Sequence, residues 1–402
     1  MAATKHLNAD SEDVVKNRAV KNRPAKRTKV TDTGIRNATF RCLFCNQDKP
    51  TTNRARHFKS STGCKGSADK QSSVEGFLEK STGPQRKWAN LFKKALEKAG
   101  SLSTLNNKDE DGPLIFPVEE CLNEGVTDNI LIDNIFHHYD QKSQKIYSDK
   151  DPDRPQKDAT LAEVLQQLTH PNLANVKYAV NLGHGHSTMK PMRFSLHKTE
   201  SEMITNANVT PEGTCILPHI DRGNHVVTCL GRGCQKLWLL YPPTTTNLSL
   251  WAKYRKSNKI FEDLVDHLEN GEVAVQNTDE AIYLPPGYIH ATYTLKGGIV
   301  FGINYATKEG LPITSKIFEI ETENFLTVDK EDVTPLLESI KLRFECFEEG
   351  DEELRKALLV FDKFSKRTEV KQHQRYRRVK ELANERRRGL QLASKVSGRR
   401  IT

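Results

Sequence analysis

Short segments in the middle of the chain are rich in apolar and β-branched residues, which is the pattern expected of buried strands. They are Val176–Leu182, Thr214–Leu217, Leu237–Tyr241 and Ala291–Leu295. From Ile313 onward the apolar positions change to helical spacing, for example at Leu336, Leu337, Ile340 and Phe344. The pattern predicts a strand-rich middle region followed by helices, which is a mixed α and β fold.

A histidine and a carboxylate follow the second of these strands, as His219 and Asp221. Residues i and i+2 of a strand project to the same face, so these two side chains can bind one metal ion. The tripeptide His267-Leu268-Glu269 is different, because it lies in Phe261–Asn270, whose apolar residues have helical spacing. On a helix i and i+2 point apart, so His267 is not expected to be a ligand.

The sequence around His219 supports a metal site. Lys236 opens the strand Leu237–Tyr241, and a Pro-Pro-Gly turn leads to His290. A lysine entering a buried strand needs an anionic partner, such as the far carboxylate of a 2-oxo acid. Two imidazoles and one carboxylate occupy one face of a ferrous ion and leave three positions for a 2-oxo acid and dioxygen. The sequence therefore predicts an oxygenase.

The stretch Leu217–Glu309 resembles the catalytic half of a JmjC domain and covers about a quarter of the chain. It is most similar to the His-x-Asp branch of histone lysine demethylases, whose members are linked to F-box or plant-homeodomain modules. The motifs that carry the resemblance are Pro218-His219-Ile220-Asp221, Lys236–Thr244, Gly287-Tyr288-Ile289-His290-Ala291 and Phe301-Gly302-Ile303-Asn304.

The resemblance implies a double-stranded β-helix, which is a cupin or jelly-roll barrel, with flanking helices. Such a barrel explains why the ligands come from two separated segments, since facing sheets bring distant strand ends together. By resemblance, Fe(II) is bound by His219, Asp221 and His290, and Lys236 binds 2-oxoglutarate. Polar side chains near the site are expected at Thr228 and Asn304.

Two positions depart from the family pattern. Ile216 stands where the family has a threonine three residues before the first ligand, and Thr214 lies two residues earlier. Cys229 stands where the family has tyrosine or asparagine, with Thr228 beside it. Three functions therefore stay open: a histone lysine demethylase, a protein hydroxylase of the same fold, and a chromatin- or DNA-binding protein with impaired catalysis.

A second candidate metal site lies near the N-terminus, formed by Cys42, Cys45, His57 and Cys64. Three thiolates and an imidazole suit a closed tetrahedral Zn(II) site. The basic segment Thr51–Lys59 between them is predicted to be a short helix, and the whole resembles a BED-type finger. Such a finger sets a basic helix against DNA, whereas the alternatives are unrelated free thiols or a zinc-stabilised protein contact.

Charge is distributed unevenly. Residues 1–70 hold 16 Lys and Arg against 6 Asp and Glu, and residues 363–402 hold 14 against 3. Because the whole chain is +9, the part between carries −12. An acidic middle suits a methylated histone or another basic protein as substrate, and basic arms suit DNA, although solvated tails are the alternative.

The compartment is predicted from composition and short motifs. Lys21–Lys29 is a candidate nuclear localisation signal. Five further cysteines are scattered along the chain, which favours a reducing compartment over a disulfide framework. An apolar run long enough to span a membrane is missing from the sequence, so we expect a nuclear protein without a membrane contact.

Changes in composition, charge and apolar spacing along the chain predict six regions. They are a disordered basic tail (1–38), a zinc finger (39–67), a linker with a helix (68–112), the JmjC barrel (113–310), a helical bundle (311–365) and a basic helix with its tail (366–402).

Overall fold

The computed structural model describes a defined part of the chain: residues 39–41, 48–50, 67–105, 112–137, 145–152, 155–183, 189, 204–221, 225–231, 233–255, 257, 259–278, 280–324, 330–348 and 350–397. The chain divides into two units, Met1–Cys64 and Lys65–Thr402. In the first unit, β1 (Thr39–Arg41) pairs antiparallel with β2 (Asp48–Pro50). The predicted disordered tail and the four predicted zinc ligands lie outside the described residues.

The second unit is built on two sheets. Its strands are β3 (Leu102–Ser103), β4 (Leu114–Pro117), β5 (Lys145–Ser148), β6 (Lys177–Leu182), β7 (Ile204–Thr210), β8 (Cys215–His219), β9 (His225–Leu230), β10 (Gln235–Tyr241), β11 (Glu272–Asn277), β12 (Glu280–Leu284), β13 (Ile289–Lys296) and β14 (Gly298–Tyr305). One sheet has the order β3-β11-β10-β13-β8 and the other β4-β12-β9-β14-β7-β6-β5. Strand β3 pairs with β11 in parallel, and the other pairings described are antiparallel.

The two sheets face each other around an apolar core. Val226 and Ile282 of the seven-stranded sheet share a buried cluster with Trp238, Leu240 and Ala274 of the five-stranded sheet. We call the surfaces that meet here the inner faces. This arrangement is consistent with the expected jelly roll, and β8, β10 and β13 coincide closely with the strands predicted from the sequence.

Helices cover the sheets and continue beyond them. They are α1 (Ser67–Lys80), α2 (Gln85–Ala99), α3 (Asp128–His137), α4 (Leu161–Thr169), α5 (Thr245–Tyr254), α6 (Ile260–Val265), α7 (Leu311–Asn324), α8 (Lys330–Cys346), α9 (Glu352–Phe364), α10 (Thr368–Gln372) and α11 (Tyr376–Ser397). A short 3₁₀ helix spans Val118–Glu120. Among the helices that the structure describes, none is both long and apolar enough to cross a bilayer.

One expectation about the start of the second unit is corrected. The segment 68–112 was expected to be a linker with one helix, but it holds two helices, since Ser67–Lys80 forms α1 before α2. Phe77 of α1 and Phe92 of α2 both pack against Tyr293 of β13, with ring centroids 6.5 and 5.7 Å apart. Apolar contacts across this outer face of the sheet stabilise both helices, which a local reading of a polar segment misses.

The basic C-terminal helix is also corrected. The region 366–402 was expected to hold one basic helix and its tail, but the structure has α10 and then α11. Val379 and Ala383 of α11 are buried in the same apolar cluster as Leu336 of α8 and Phe361 of α9. The helical bundle therefore extends through the basic region, and cations occupy the outer side of α11.

A turn at Gly287 precedes β13, the strand that contains His290. Gly287 has a φ of +87°, a conformation that L side chains rarely adopt. A Cβ at this position would lie 2.8 Å from Ile313 Cγ1 and 3.0 Å from Pro243 Cβ. The turn therefore needs glycine both for its backbone conformation and for its close packing against α7.

Candidate metal centre

The three predicted iron ligands meet at one end of the facing sheets. His219 is the last residue of β8, Asp221 follows it, and His290 lies in β13 directly opposite His219. One ligand atom from each side chain lies within 4.8 Å of the others. His290 Nε2 is 3.3 Å from Asp221 Oδ2, and the two imidazole centroids are 4.2 Å apart.

Backbone carbonyl groups orient both imidazoles. His219 Nδ1 lies 2.8 Å from the carbonyl oxygen of Leu217, and His290 Nδ1 lies 3.2 Å from that of Tyr288. A carbonyl oxygen only accepts, so each Nδ1 carries the proton and each Nε2 carries the lone pair that binds a metal. Two such nitrogens and one carboxylate fit the donor set of ferrous iron.

An irregularity in the strand pairing sets the position of the ligands. His290 pairs with His219, but Thr292 pairs with Ile216, so β8 has one more residue than β13 between these pairs. A bulge of this kind bends the strand and redirects its side chains. Sequence spacing alone does not predict this bulge.

Lys236 lies on the same inner face as the ligands. It pairs across β10 and β13 with Thr294, and its side chain is only 3% exposed. Its Nζ donates to Thr294 Oγ1 at 3.2 Å, and no ion-pair partner for it exists among the residues described. Burial lowers the pKa of Lys236 to about 8. A buried ammonium without a carboxylate partner favours binding of an anion.

The polar groups beside Lys236 differ from those that the sequence suggested. Ile216 pairs with Thr292, so it lies on the inner face where the family has threonine. Thr214 does not replace it, because its hydroxyl donates to the carbonyl of Pro211 at 2.7 Å. Thr294 supplies the neighbouring hydroxyl instead. The alternation of His290, Thr292 and Thr294 along β13 was the signal that could have identified it.

The opposite sheet contributes the other two predicted polar residues. Thr228 is two positions after Val226, and Asn304 pairs directly with Val226, so both lie on the inner face of the seven-stranded sheet. Cys229 points the other way and is buried in the apolar cluster behind that sheet. The cysteine at the family's polar position therefore does not line the inner face.

The other histidine and cysteine residues considered as metal ligands are His267 and the four residues of the predicted zinc site. His267 follows the end of α6, where its Nδ1 lies 2.7 Å from the carbonyl oxygen of Asp263 and its ring stacks on Tyr254. It does not join a metal cluster among the described residues. Cys42, Cys45, His57 and Cys64 lie outside the described residues, so the zinc site stays a prediction.

One partly buried histidine that follows Asp221 was not predicted from the sequence. His225 begins β9, four residues after Asp221, and its two ring nitrogens lie 2.7 Å from Tyr283 Oη and 2.8 Å from Thr307 Oγ1. These partners are 58 and 82 residues away along the chain. A contact of that separation leaves no local signal in the sequence.

The fold is consistent with a jelly roll, and it carries a candidate metal centre of two histidines and one carboxylate. Over 90 residues the chain is 39% identical to a protein of Saccharomyces cerevisiae named JmjC domain-containing histone demethylation protein 1. It is 35% identical over 109 residues to the Kluyveromyces lactis protein of the same name, and 31% identical over 121 residues to lysine-specific demethylase 2B of Mus musculus. No family model matches the chain.

These similarities are local. They cover 22%, 26% and 29% of this chain but only 18%, 22% and 8% of the three relatives, so the chain spans less than a quarter of their lengths. They support the resemblance to JmjC histone demethylases at the level of the family. The His-x-Asp branch and the BED-like finger stay predictions.

Replacing Asp221 by alanine should abolish tight iron binding, because two neutral imidazoles then hold a dication without a charged ligand. We expect iron affinity to fall by at least about a hundredfold, the upper end of the loss seen for outer-shell partners. The matched control is His267→Ala, which removes the histidine of the His-x-Glu sequence outside the site. Equal iron content in Asp221→Ala and wild-type protein after anaerobic loading would rule out this ligand assignment.

The metal-free protein should lose stability as the pH falls from about 10.5, the ordinary pKa of lysine, to about 8, the pKa of Lys236 in the folded protein. Because the folded pKa of about 8 lies below the ordinary 10.5, this residue's contribution is most favourable above pH 10.5 and declines below it. Lys236→Met should therefore be more stable than wild type at pH 7 by about 3 kcal/mol, with a smaller difference at pH 9.5. Urea unfolding at both pH values measures this, with exposed Lys259→Met as control; a difference independent of pH would contradict it.

Proposed function

We propose that the chain is an Fe(II)- and 2-oxoglutarate-dependent oxygenase that demethylates methyl-lysine on a histone or another chromatin protein. One observation carries the proposal: His219, Asp221 and His290 converge on one point, and the buried cation of Lys236 lies on the same inner face. The relatives named as histone demethylation proteins support the choice of reaction.

The residues of this chain would hold and orient the reactants. Bound iron, with 2-oxoglutarate and dioxygen, supplies hydroxylation of a C–H bond, which on an N-methyl group leads to formaldehyde and free lysine. His219, Asp221 and His290 would bind one face of the metal and leave the other positions to the co-substrate. The backbone carbonyls that fix both imidazoles keep each Nε2 directed to the metal before iron arrives.

Lys236 would bind the far carboxylate of 2-oxoglutarate, with the hydroxyl of Thr294 as its neighbour. This pair replaces the lysine and threonine of the family, because Ile216 has no hydroxyl to offer. Thr228 and Asn304 would form hydrogen bonds from the opposite sheet. Trp238 lies on the same inner face, with its ring centroid 5.8 Å from that of His290 and its Nε1 donating to Gln276 Oε1.

Two other functions share this geometry. A protein hydroxylase would use the same metal and co-substrate on a side-chain carbon, where the alcohol persists. A chromatin-binding protein with impaired catalysis is favoured by Ile216, which lacks the hydroxyl that the family has there. Thr294 argues against it, because its hydroxyl lies beside Lys236. The three functions differ in what happens to the mass of a methylated peptide.

Methylated histone peptides incubated with the protein, Fe(II) and 2-oxoglutarate should lose the mass of a methyl group and release formaldehyde. Mass spectrometry of the peptides, with Asp221→Ala as inactive variant and His267→Ala as matched active control, makes the measurement. Gain of an oxygen without loss of a methyl group would identify a hydroxylase instead. A peptide that binds tightly to the protein but keeps its mass would support a chromatin-binding protein with impaired catalysis.

A chromatin-modifying enzyme is expected to contact DNA as well as its protein substrate. We propose that the N-terminal finger binds Zn(II) through Cys42, Cys45, His57 and Cys64, and that it contacts DNA together with the basic arms in the nucleus. The net +10 of residues 1–70 and +11 of residues 363–402 support this, since phosphate contacts depend on Lys and Arg.

Duplex DNA binding by the full chain should weaken steeply with salt. Replacing Arg54, Arg56 and Lys59 by alanine should reduce the slope of log affinity against log salt by about 3, one unit for each lost phosphate contact. Cys42→Ser should lower affinity too, because loss of a thiolate prevents zinc-dependent folding of so short a segment. Cys346→Ser is the control; slopes equal to wild type in both finger variants would exclude a DNA contact by the finger.

A further inference from the structure

His225 occupies a partly buried position at the start of β9, four residues after Asp221 in the sequence. Strand alternation places Val226 on the inner face, so His225 faces the outer side of the seven-stranded sheet. There its ring stacks on Tyr305 at a centroid distance of 5.2 Å and on Tyr283 at 5.8 Å. Its imidazole is therefore held between the rings of two neighbouring strands.

Both ring nitrogens of His225 form short hydrogen bonds. Nδ1 lies 2.7 Å from Tyr283 Oη, and Nε2 lies 2.8 Å from Thr307 Oγ1. Burial lowers the pKa of His225 to about 4, so the ring is neutral near pH 7. A neutral imidazole has one donor and one acceptor, and one hydroxyl fits each of them.

The partners of His225 lie close to both ligand-bearing segments. Tyr283 is in β12, which leads through the Gly287 turn to His290, and His225 itself follows Asp221 by four residues. Thr307 Oγ1 also accepts from the backbone N–H of Gly310 at 3.2 Å. A Cβ on Gly310 would lie 3.3 Å from Pro286 Cγ and 3.6 Å from His225 Nε2, so this segment packs on the Pro286 turn and on the imidazole together.

We propose that His225 is a positioning residue that joins the segment carrying Asp221 to the segment carrying His290. It acts through Tyr283 and Thr307 and fixes the separation between the carboxylate and the second imidazole. The inference rests on the metal centre of the proposed function. Losing a contact that orients a ligand shifts the ligand and typically weakens metal binding by about ten- to a hundredfold.

A purely structural histidine is the competing explanation. Loss of stacking and hydrogen bonds would then lower thermal stability and leave metal affinity unchanged in the protein that stays folded. Two substitutions keep the shape of the cluster and remove only a hydroxyl: Tyr283→Phe and Thr307→Val. They are the informative variants, because His225→Ala also opens a cavity between the two tyrosines.

Metal binding is measured directly with Co(II) added to the full, metal-free chain. Trp238 lies 5.8 Å from the ring of His290, so quenching of its fluorescence reports occupancy, and the visible spectrum of Co(II) reports ligand geometry. We expect Kd to rise by about tenfold in Tyr283→Phe and Thr307→Val, with an altered spectrum. Tyr254→Phe, the same change on α5, should bind as wild type does.

The outcomes separate the positioning role from the metal centre. Variants that lose thermal stability but keep the wild-type Kd and Co(II) spectrum at 10 °C below their melting midpoints would overturn the positioning role alone. Wild-type protein that binds no Co(II) would overturn the metal centre and the positioning role with it. An effect in Tyr254→Phe as large as in Tyr283→Phe would also overturn the proposal, because it would not be specific to His225.

Discussion

The pairing of His219 with His290 across β8 and β13 is the constraint on which the site depends. It joins two segments that are 71 residues apart in sequence and places their imidazoles 4.2 Å apart by centroid. The pairing needs the glycine turn at Gly287, which brings the chain into β13, and the bulge between His290 and Thr292, which sets the direction of the ligands. The surrounding sheets and helices stabilise this one contact between strands.

The inner faces combine two opposing electrostatic demands. The metal centre needs a carboxylate and two neutral imidazoles, and each imidazole has its proton fixed on Nδ1 by a backbone carbonyl. Lys236 instead places a cation in a buried position, where the hydroxyl of Thr294 is its hydrogen-bond partner among the residues that the structure describes, and this burial has a cost in stability. We propose that a 2-oxo diacid satisfies both demands, because it has one chelating end for the metal and one distant carboxylate for Lys236.

Sequence analysis located the parts of the site that have local signals. The strand before His219, the strand after Lys236 and the turn before His290 were predicted at nearly their observed bounds, because runs of apolar and β-branched residues and proline-glycine turns are local features. Contacts between distant segments were missed. Thr294 was not connected to Lys236, His225 was not noticed, and α1 was taken for a linker because its packing partner, Tyr293, is more than 200 residues away. Cys229 was matched to a polar position of the family, and strand alternation turns its side chain to the outer side of the seven-stranded sheet.

We propose that one ligand spans the metal centre and Lys236. Anaerobic titration of the Fe(II)-loaded protein with 2-oxoglutarate tests this most directly, since chelation of ferrous iron by a 2-oxo acid produces a visible charge-transfer absorption band. We expect this band in wild-type protein, saturating with 2-oxoglutarate, and a much weaker affinity in Lys236→Met, which keeps the metal ligands but lacks the charge partner. A protein that binds iron but develops no band, or a Lys236→Met variant that saturates at the wild-type concentration, would contradict it.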